Sequence, residues 1–278
     1  MLCLISPEDF AMRDFAYVLS LASAFIPPAL AAETQDCGVI ELRQYTLHAG
    51  QRDVLIELFE REFVEGQEEY PMRLVGLFRD VDRPDRFVWL RGFADMPARA
   101  QALSGFYGSP VWQAHRSAAN ATMIDSDNVL LLRPLHADTG FPDAPLPPVN
   151  AGQRARGLVE AQLLYAGSEL APAHVQAAVA ALDEALQEAG GARLAVLVTE
   201  DAANNYPRLP MREGERVLAW FAALPDEAAR TRFRGALADS PEWIRAEAAL
   251  SAGAPRAPEA LRLAPTARSR LPAASTEH

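Results

Sequence analysis

The side chains best placed to do chemistry sit two apart on short alternating runs. Glu41, Arg43 and Tyr45 lie in VIELRQYTL, and Phe87, Trp89, Arg91 and Phe93 lie in FVWLRGF. Residues two apart on an extended strand share a face, so each run gathers its charges and rings on one side. Glu160 in LVEAQLLY and Trp220 in VLAWFA repeat part of the pattern. A carboxylate and two guanidiniums among aromatic rings can hold a small organic molecule and stabilise negative charge developing on it. The same residues can instead pair with one another and only fix sheet register, because a lone buried charge costs several kcal/mol. His115 offers an imidazole for general-base work near neutral pH, and equally a helix-surface or capping side chain. Asp125 and Asp127 flank Ser126, a composition that fits a turn better than a cation site. The stretch NNYPRLPMREGE carries Tyr206, Arg208 and Arg212 beside Asn204 and Asn205. Its arginines can grip a carboxylate or phosphate in bidentate fashion, or the loop can latch over a neighbouring part of the fold.

Composition removes several alternatives. The chain has 278 residues, 37 acidic against 26 basic, and a net charge of −11; every one of the 26 cations is an arginine. Without lysine there is no Schiff-base chemistry, no lysine base and no phosphate-loop lysine. The acidic balance argues against a nucleic-acid partner. Two cysteines and five scattered histidines show no zinc spacing, and no GxSxG motif is present, so no metal, cofactor or serine triad is expected. Residues 12–31 have the layout of an export signal, cleaved near residues 31/32. The mature chain would then be periplasmic or secreted, with no integral membrane association once the leader is gone. The start of that signal fits better if translation begins at Met12 rather than Met1. The alternative is a disordered, mis-assigned leader on a cytoplasmic protein.

The elements that must position these side chains recur. Strands are expected over Val39–Leu47, Leu74–Val81, Phe87–Phe93 and Val129–Arg133, with helices over 51–66, Asp95–Phe106 and Val111–Ala121. After a Pro-rich stretch the order returns: strands at Leu158–Tyr165, Arg193–Thr199, Val217–Ala223 and Leu261–Ala264, with helices at 170–188, Asp226–Ala238 and Glu242–Leu250. Gly190-Gly191 reads as a helix stop. Trp89 and Trp112 are 23 residues apart, as are Trp220 and Trp243, and Ser109-Pro110 repeats as Ser240-Pro241. These spacings indicate an internal duplication. The expected fold is α+β: two tandem β-α-β-β-α-β ferredoxin-like units, packed sheet to sheet as a dimeric α/β barrel within one chain. The boundaries read as a leader over 1–36, a first unit over 37–135, a linker over 136–156, a second unit over 157–266 and a disordered tail over 267–278.

VIELRQYTLHAGQRD, VGLFRDVDRPDRFVWLRGF, FYGSPVW and NNYPRLPMREGE resemble the NIPSNAP family. The resemblance is close over residues 39–135 and extends more thinly to about 265. It implies the dimeric α/β-barrel superfamily, whose members include cofactor-free monooxygenases, haem-degrading enzymes and lactone isomerases. The family offers no agreed active site to carry over. Haem degraders of the superfamily use an asparagine on the first strand; none stands between Val39 and Leu47, which argues against haem chemistry here.

Alternation then assigns faces. Ile40, Leu42, Val88 and Leu90 are expected against the helices. Glu41, Arg43, Tyr45, Trp89 and Arg91 are expected inside the barrel, opposite Glu160, Gln162, Leu164, Leu218 and Trp220. On this reading the interior binds a small apolar or aromatic molecule, as in a cofactor-independent oxygenase or isomerase. The competing reading is a non-enzymatic structural or interaction protein. A homodimer fits either.

Overall fold

A computed structural model describes residues 37–149 and 157–271; the leader and its cleavage point lie outside the described residues. The strands are β1 (Val39–Leu47), β2 (Arg73–Asp80), β3 (Arg86–Phe93), β4 (Met123–Asp125), β5 (Val129–Pro134), β6 (Leu158–Ala166), β7 (Ala192–Thr199), β8 (Arg216–Leu224) and β9 (Glu259–Pro265). The helices are α1 (Arg52–Leu58), α2 (Val64–Glu68), α3 (Met96–Gly108), α4 (Pro110–Asn120), α5 (Pro172–Ala189), α6 (Glu227–Asp239) and α7 (Pro241–Leu250). A π-helical turn, Phe59–Phe63, joins α1 to α2. The short β4 is an addition to the expected elements. It precedes the turn at Asp125–Asp127, where the Asp125 carboxylate accepts from the Asp127 backbone N–H.

The Ser-Pro-x-Trp repeat has a local cause. Ser109 and Ser240 each accept a hydrogen bond from the backbone N–H of the tryptophan three residues on, at 3.2 Å, and proline fills the first helical position. Asp95 and Asp226 cap α3 and α6 in the same way. These contacts satisfy backbone donors that a helix start leaves unpaired. Gly190 stops α5 in the left-handed region at φ 72°, as its sequence position indicates.

The strands run in the order β3-β2-β9-β6-β8-β7-β5-β1, and β1 pairs back onto β3. The result is a mixed α/β fold built on a closed, antiparallel eight-stranded barrel with helices outside. β4 extends the ladder beside β1. Two seams join the strands before and after residue 150: β2 to β9, and β5 to β7.

The faces are the reverse of those expected. Ile40, Leu42, Val88 and Leu90 join Val159, Ala161, Leu163, Ala219, Leu261 and Leu263 in one buried apolar cluster drawn from strands all around the ring. That cluster is the barrel interior. Trp89, Tyr45, Phe87 and Phe93 pack outward against the α1–α3 helices. Leu164, Leu218 and Trp220 pack outward against α5–α7. The physical reason lies in size and polarity. An eight-stranded barrel has room inside for side chains only, and its inner wall offers charges no partners. The helix layer supplies both space and partners, through Gln67 and Arg99. Residues 267–271 also depart from the expected disordered tail. Arg268 is buried and ion-pairs with Glu65, and Arg270 pairs with Glu68 at 2.6 Å.

Candidate functional site

Strand register builds the site. β1 and β3 pair so that Glu41 stands opposite Arg91, Arg43 opposite Trp89 and Tyr45 opposite Phe87. These six residues share the face covered by the α1–α3 helix layer, where Tyr45, Phe87 and Trp89 pack and Glu41 and Arg91 meet Arg99 and Gln67. Arg43 Nη1 donates to Oε2 of Glu41 at 2.7 Å, and Arg91 Nε donates to the same oxygen at 2.8 Å. From α3, Arg99 Nε donates to Oε1 at 2.7 Å. Arg43 Nε donates to the Tyr45 hydroxyl at 3.1 Å, and Arg91 Nη1 to Oε1 of Gln67 at 3.0 Å. The Trp89 ring lies 5.4 Å from the Arg43 guanidinium carbon and 5.1 Å from that of Arg91.

One carboxylate therefore serves three guanidiniums, and all four side chains are buried to within 2%. No other carboxylate among the described residues pairs with these arginines. Two positive charges are left uncompensated in a site shut off from water. Donors also outnumber acceptors. Arg91 Nη2 lies 2.8 Å from Glu41 Oε2 but outside hydrogen-bonding geometry, and the indole N–H of Trp89 meets no acceptor. Burial alone would raise the Glu41 carboxyl, but Arg91, Arg43 and Arg99 overcome it and hold the group well below the usual carboxylate range. Burial pushes the Tyr45 phenol up, against the pull of Arg43. The site thus holds a permanently ionised carboxylate, which is a poor base, and a neutral phenol. It is equipped to hold an anion rather than to remove a proton.

The long β7–β8 connection closes this layer. Asn205 Oδ1 accepts from Arg99 Nη1 at 2.7 Å and Asn204 Oδ1 at 3.2 Å, while Tyr206 stacks on Tyr107 at 5.9 Å. Arg212 donates to Oδ1 of Asn128 at 3.1 Å. Of the two roles open to this loop, these contacts describe the latch. Arg208 is exposed on it.

The other sequence-selected residues are elsewhere. Glu160 and Trp220 lie in the second helix layer, on the far side of the barrel wall from Glu41. There Glu160 pairs with Arg230 and, at 3.3 Å, with Arg234, both on α6; Trp220 packs on Phe233 and Trp243. Gln162, likewise expected inside, donates to Glu247 of α7 at 2.8 Å. His115 sits on α4 with Nε2 3.3 Å from Glu62, apart from the Glu41 group. Sequence reasoning missed Arg99 and Gln67. Arg99 had a signal: Arg230 follows it at the same 131-residue offset that relates Trp89 to Trp220. Gln67 had none.

Comparison with known proteins agrees with this architecture. Residues 40–137 match the NIPSNAP family model. Among solved structures, an anthrone oxidase-like protein superposes with a TM-score of 0.51 at 15% identity, over 87% of this chain and 98% of its own. An uncharacterized NIPSNAP-like domain protein from Burkholderia xenovorans is 27% identical, over 40% of this chain and 91% of its own, with a TM-score of 0.33. A NIPSNAP family protein from Agrobacterium tumefaciens is 22% identical, over 34% and 91%, with a TM-score of 0.33. No curated protein matches.

Proposed function

We propose that this chain, which carries a NIPSNAP domain over residues 40–137, binds a small aromatic or enolic anion in the helix layer at Glu41. One observation carries this reading: three buried guanidiniums share a single carboxylate. Such an excess of buried positive charge is costly, and an anionic ligand offsets it. Trp89, Tyr45 and Tyr107 supply the rings, Arg91 and Trp89 the spare donors, and the Asn204–Tyr206 loop the cover. If the bound molecule is an enolate or phenolate, the same guanidiniums stabilise its charge during a cofactor-independent oxygenation by O₂ or an isomerisation. With no base in the site, the ligand must arrive already ionised.

The same reading takes the chain as two tandem ferredoxin-like units. What supports this is the repeated element order, the matching Asp and Ser-Pro caps, and the Glu41–Arg99 contact paralleled by Glu160–Arg230. A second reading, a non-enzymatic structural or interaction protein, is favoured by one observation: the barrel interior, where a ligand was first expected, is packed with apolar side chains.

A thermal-shift series separates the two. Aromatic carboxylates, and phenols and enols acidic enough to be ionised at the assay pH, are compared with neutral amides, quinones and haem. A ligand at a hundred times its dissociation constant adds about 2.7 kcal/mol, or roughly 5–10 °C. We expect this shift from the anions, reduced by Trp89→Phe and Tyr45→Phe in proteins that still fold. No shift with any anion would favour the structural reading.

A further inference from the structure

A cavity lies in the other helix layer. It is an open cleft of about 1040 Å³ between α5, β7 and the segment that follows β5. That segment runs along β7, with Leu135 donating to Val196 O and Val196 donating to Thr139 O. Leu135, Leu170, Val175, Val179 and Val198 form an apolar floor. Leu135, Leu170 and Val179 stay partly exposed there, although they pack on the second helix-layer core.

The charges around this floor fall into two sets. Asp138, Glu169, Asp201, His136 and Arg216 are exposed on the rim, where each can turn into water. The half-buried charges are Arg133, Arg193 and Asp183. Arg193 and Asp183 pair with each other at 2.7 Å. Among the described residues Arg133 has no carboxylate partner; its side chain makes a long 3.5 Å contact to the carbonyl of Pro134. The cleft therefore presents one half-buried guanidinium without a carboxylate among the described residues, beside an uncovered apolar strip; Arg216 on the exposed rim likewise has no ion pair there. Near the opposite helix pair the corresponding space is occupied: after β9, Arg268 donates to Glu60 and pairs with Glu65.

We infer that this cleft is a binding site for an apolar carboxylic acid, with its head on Arg133 and its chain along Val175, Val179 and Val198. The size suits such a ligand, since pockets of several hundred Å³ with an apolar lining and few polar groups are the usual small-molecule sites. The site is independent of the Glu41 group, which lies in the other helix layer.

Isothermal titration of the full chain with decanoate, below its micellar concentration, and with decanol tests this. Decanoate should bind saturably, and decanol more weakly. Arg133→Gln should weaken decanoate by roughly ten- to a hundredfold, the worth of one charge-assisted hydrogen bond, and leave decanol unchanged. Val179→Trp fills the floor and should abolish binding of both. Val54→Ala, on the exposed face of α1 in the other layer, should change neither. Absence of decanoate binding to the wild-type chain, or equal decanoate affinity in wild type and Arg133→Gln, overturns the assignment. So does unaltered binding in Val179→Trp, which keeps the test decisive should Arg133→Gln fail to fold.

Discussion

Glu41 is the single acceptor that three guanidiniums share, so it is where one atom change is felt most. Glu41→Gln removes the only counter-charge and leaves Arg43, Arg91 and Arg99 buried with none. Breaking a buried pair from one side costs about 3–5 kcal/mol, and urea denaturation should show a loss of at least that size. The pH dependence follows from sign. The folded-state Glu41 carboxyl is held below its ordinary value. Its stabilisation is thus complete above that value and drains away as the pH falls beneath it. Urea midpoints taken at neutral pH and at about pH 3 should fall steeply in the wild type and less in Glu41→Gln. The chemistry of this group was legible in the sequence: alternation alone put Glu41, Arg43, Tyr45, Trp89 and Arg91 on one face. Which face was not legible. Both sides of β1 and β3 are buried, and alternation cannot say whether a helix or another strand covers a given side.

At the scale of elements, the β7–β8 connection is the part that closes the Glu41 layer. Its grip is polar and local: two asparagine oxygens on Arg99 and one tyrosine on Tyr107. Asn205→Ala removes the shorter of the two Arg99 contacts, leaving that to Asn204, and should cost about 0.5–1.5 kcal/mol locally, the net worth of one hydrogen bond. Hydrogen exchange should read this as faster exchange over residues 200–215, with β1 and β3 unchanged. If β1 and β3 quicken equally, the loop is part of the core rather than a cover. The loop was visible in the sequence as the long stretch NNYPRLPMREGE between two expected strands. Its landing place was not, because Asn204 and Asn205 carry no periodic signal and their partner Arg99 is a hundred residues distant. The helix starts were read more easily, since aspartate or serine followed by proline states its role locally.

At the scale of the molecule, one apolar interior draws on strands from both sides of residue 150. Neither half can keep its inner wall dry alone. The described chain should unfold in a single cooperative transition by calorimetry, with van't Hoff and calorimetric enthalpies equal; two resolved transitions would contradict a shared core. This much followed from the element order expected from the sequence, which brings half-buried strands together whichever side chains line them.

The ring also bears on how copies of this protein can meet. Each of its eight strands has a hydrogen-bonded neighbour on either side. Among the described residues only β4, three residues long, ends a ladder. A strand from another molecule finds almost no unclaimed N–H or C=O to zip onto, so runaway fibre growth by edge addition is blocked at the outset. Any self-association must instead be written on the outer helices, where side chains such as Val54 and Ile244 face solvent.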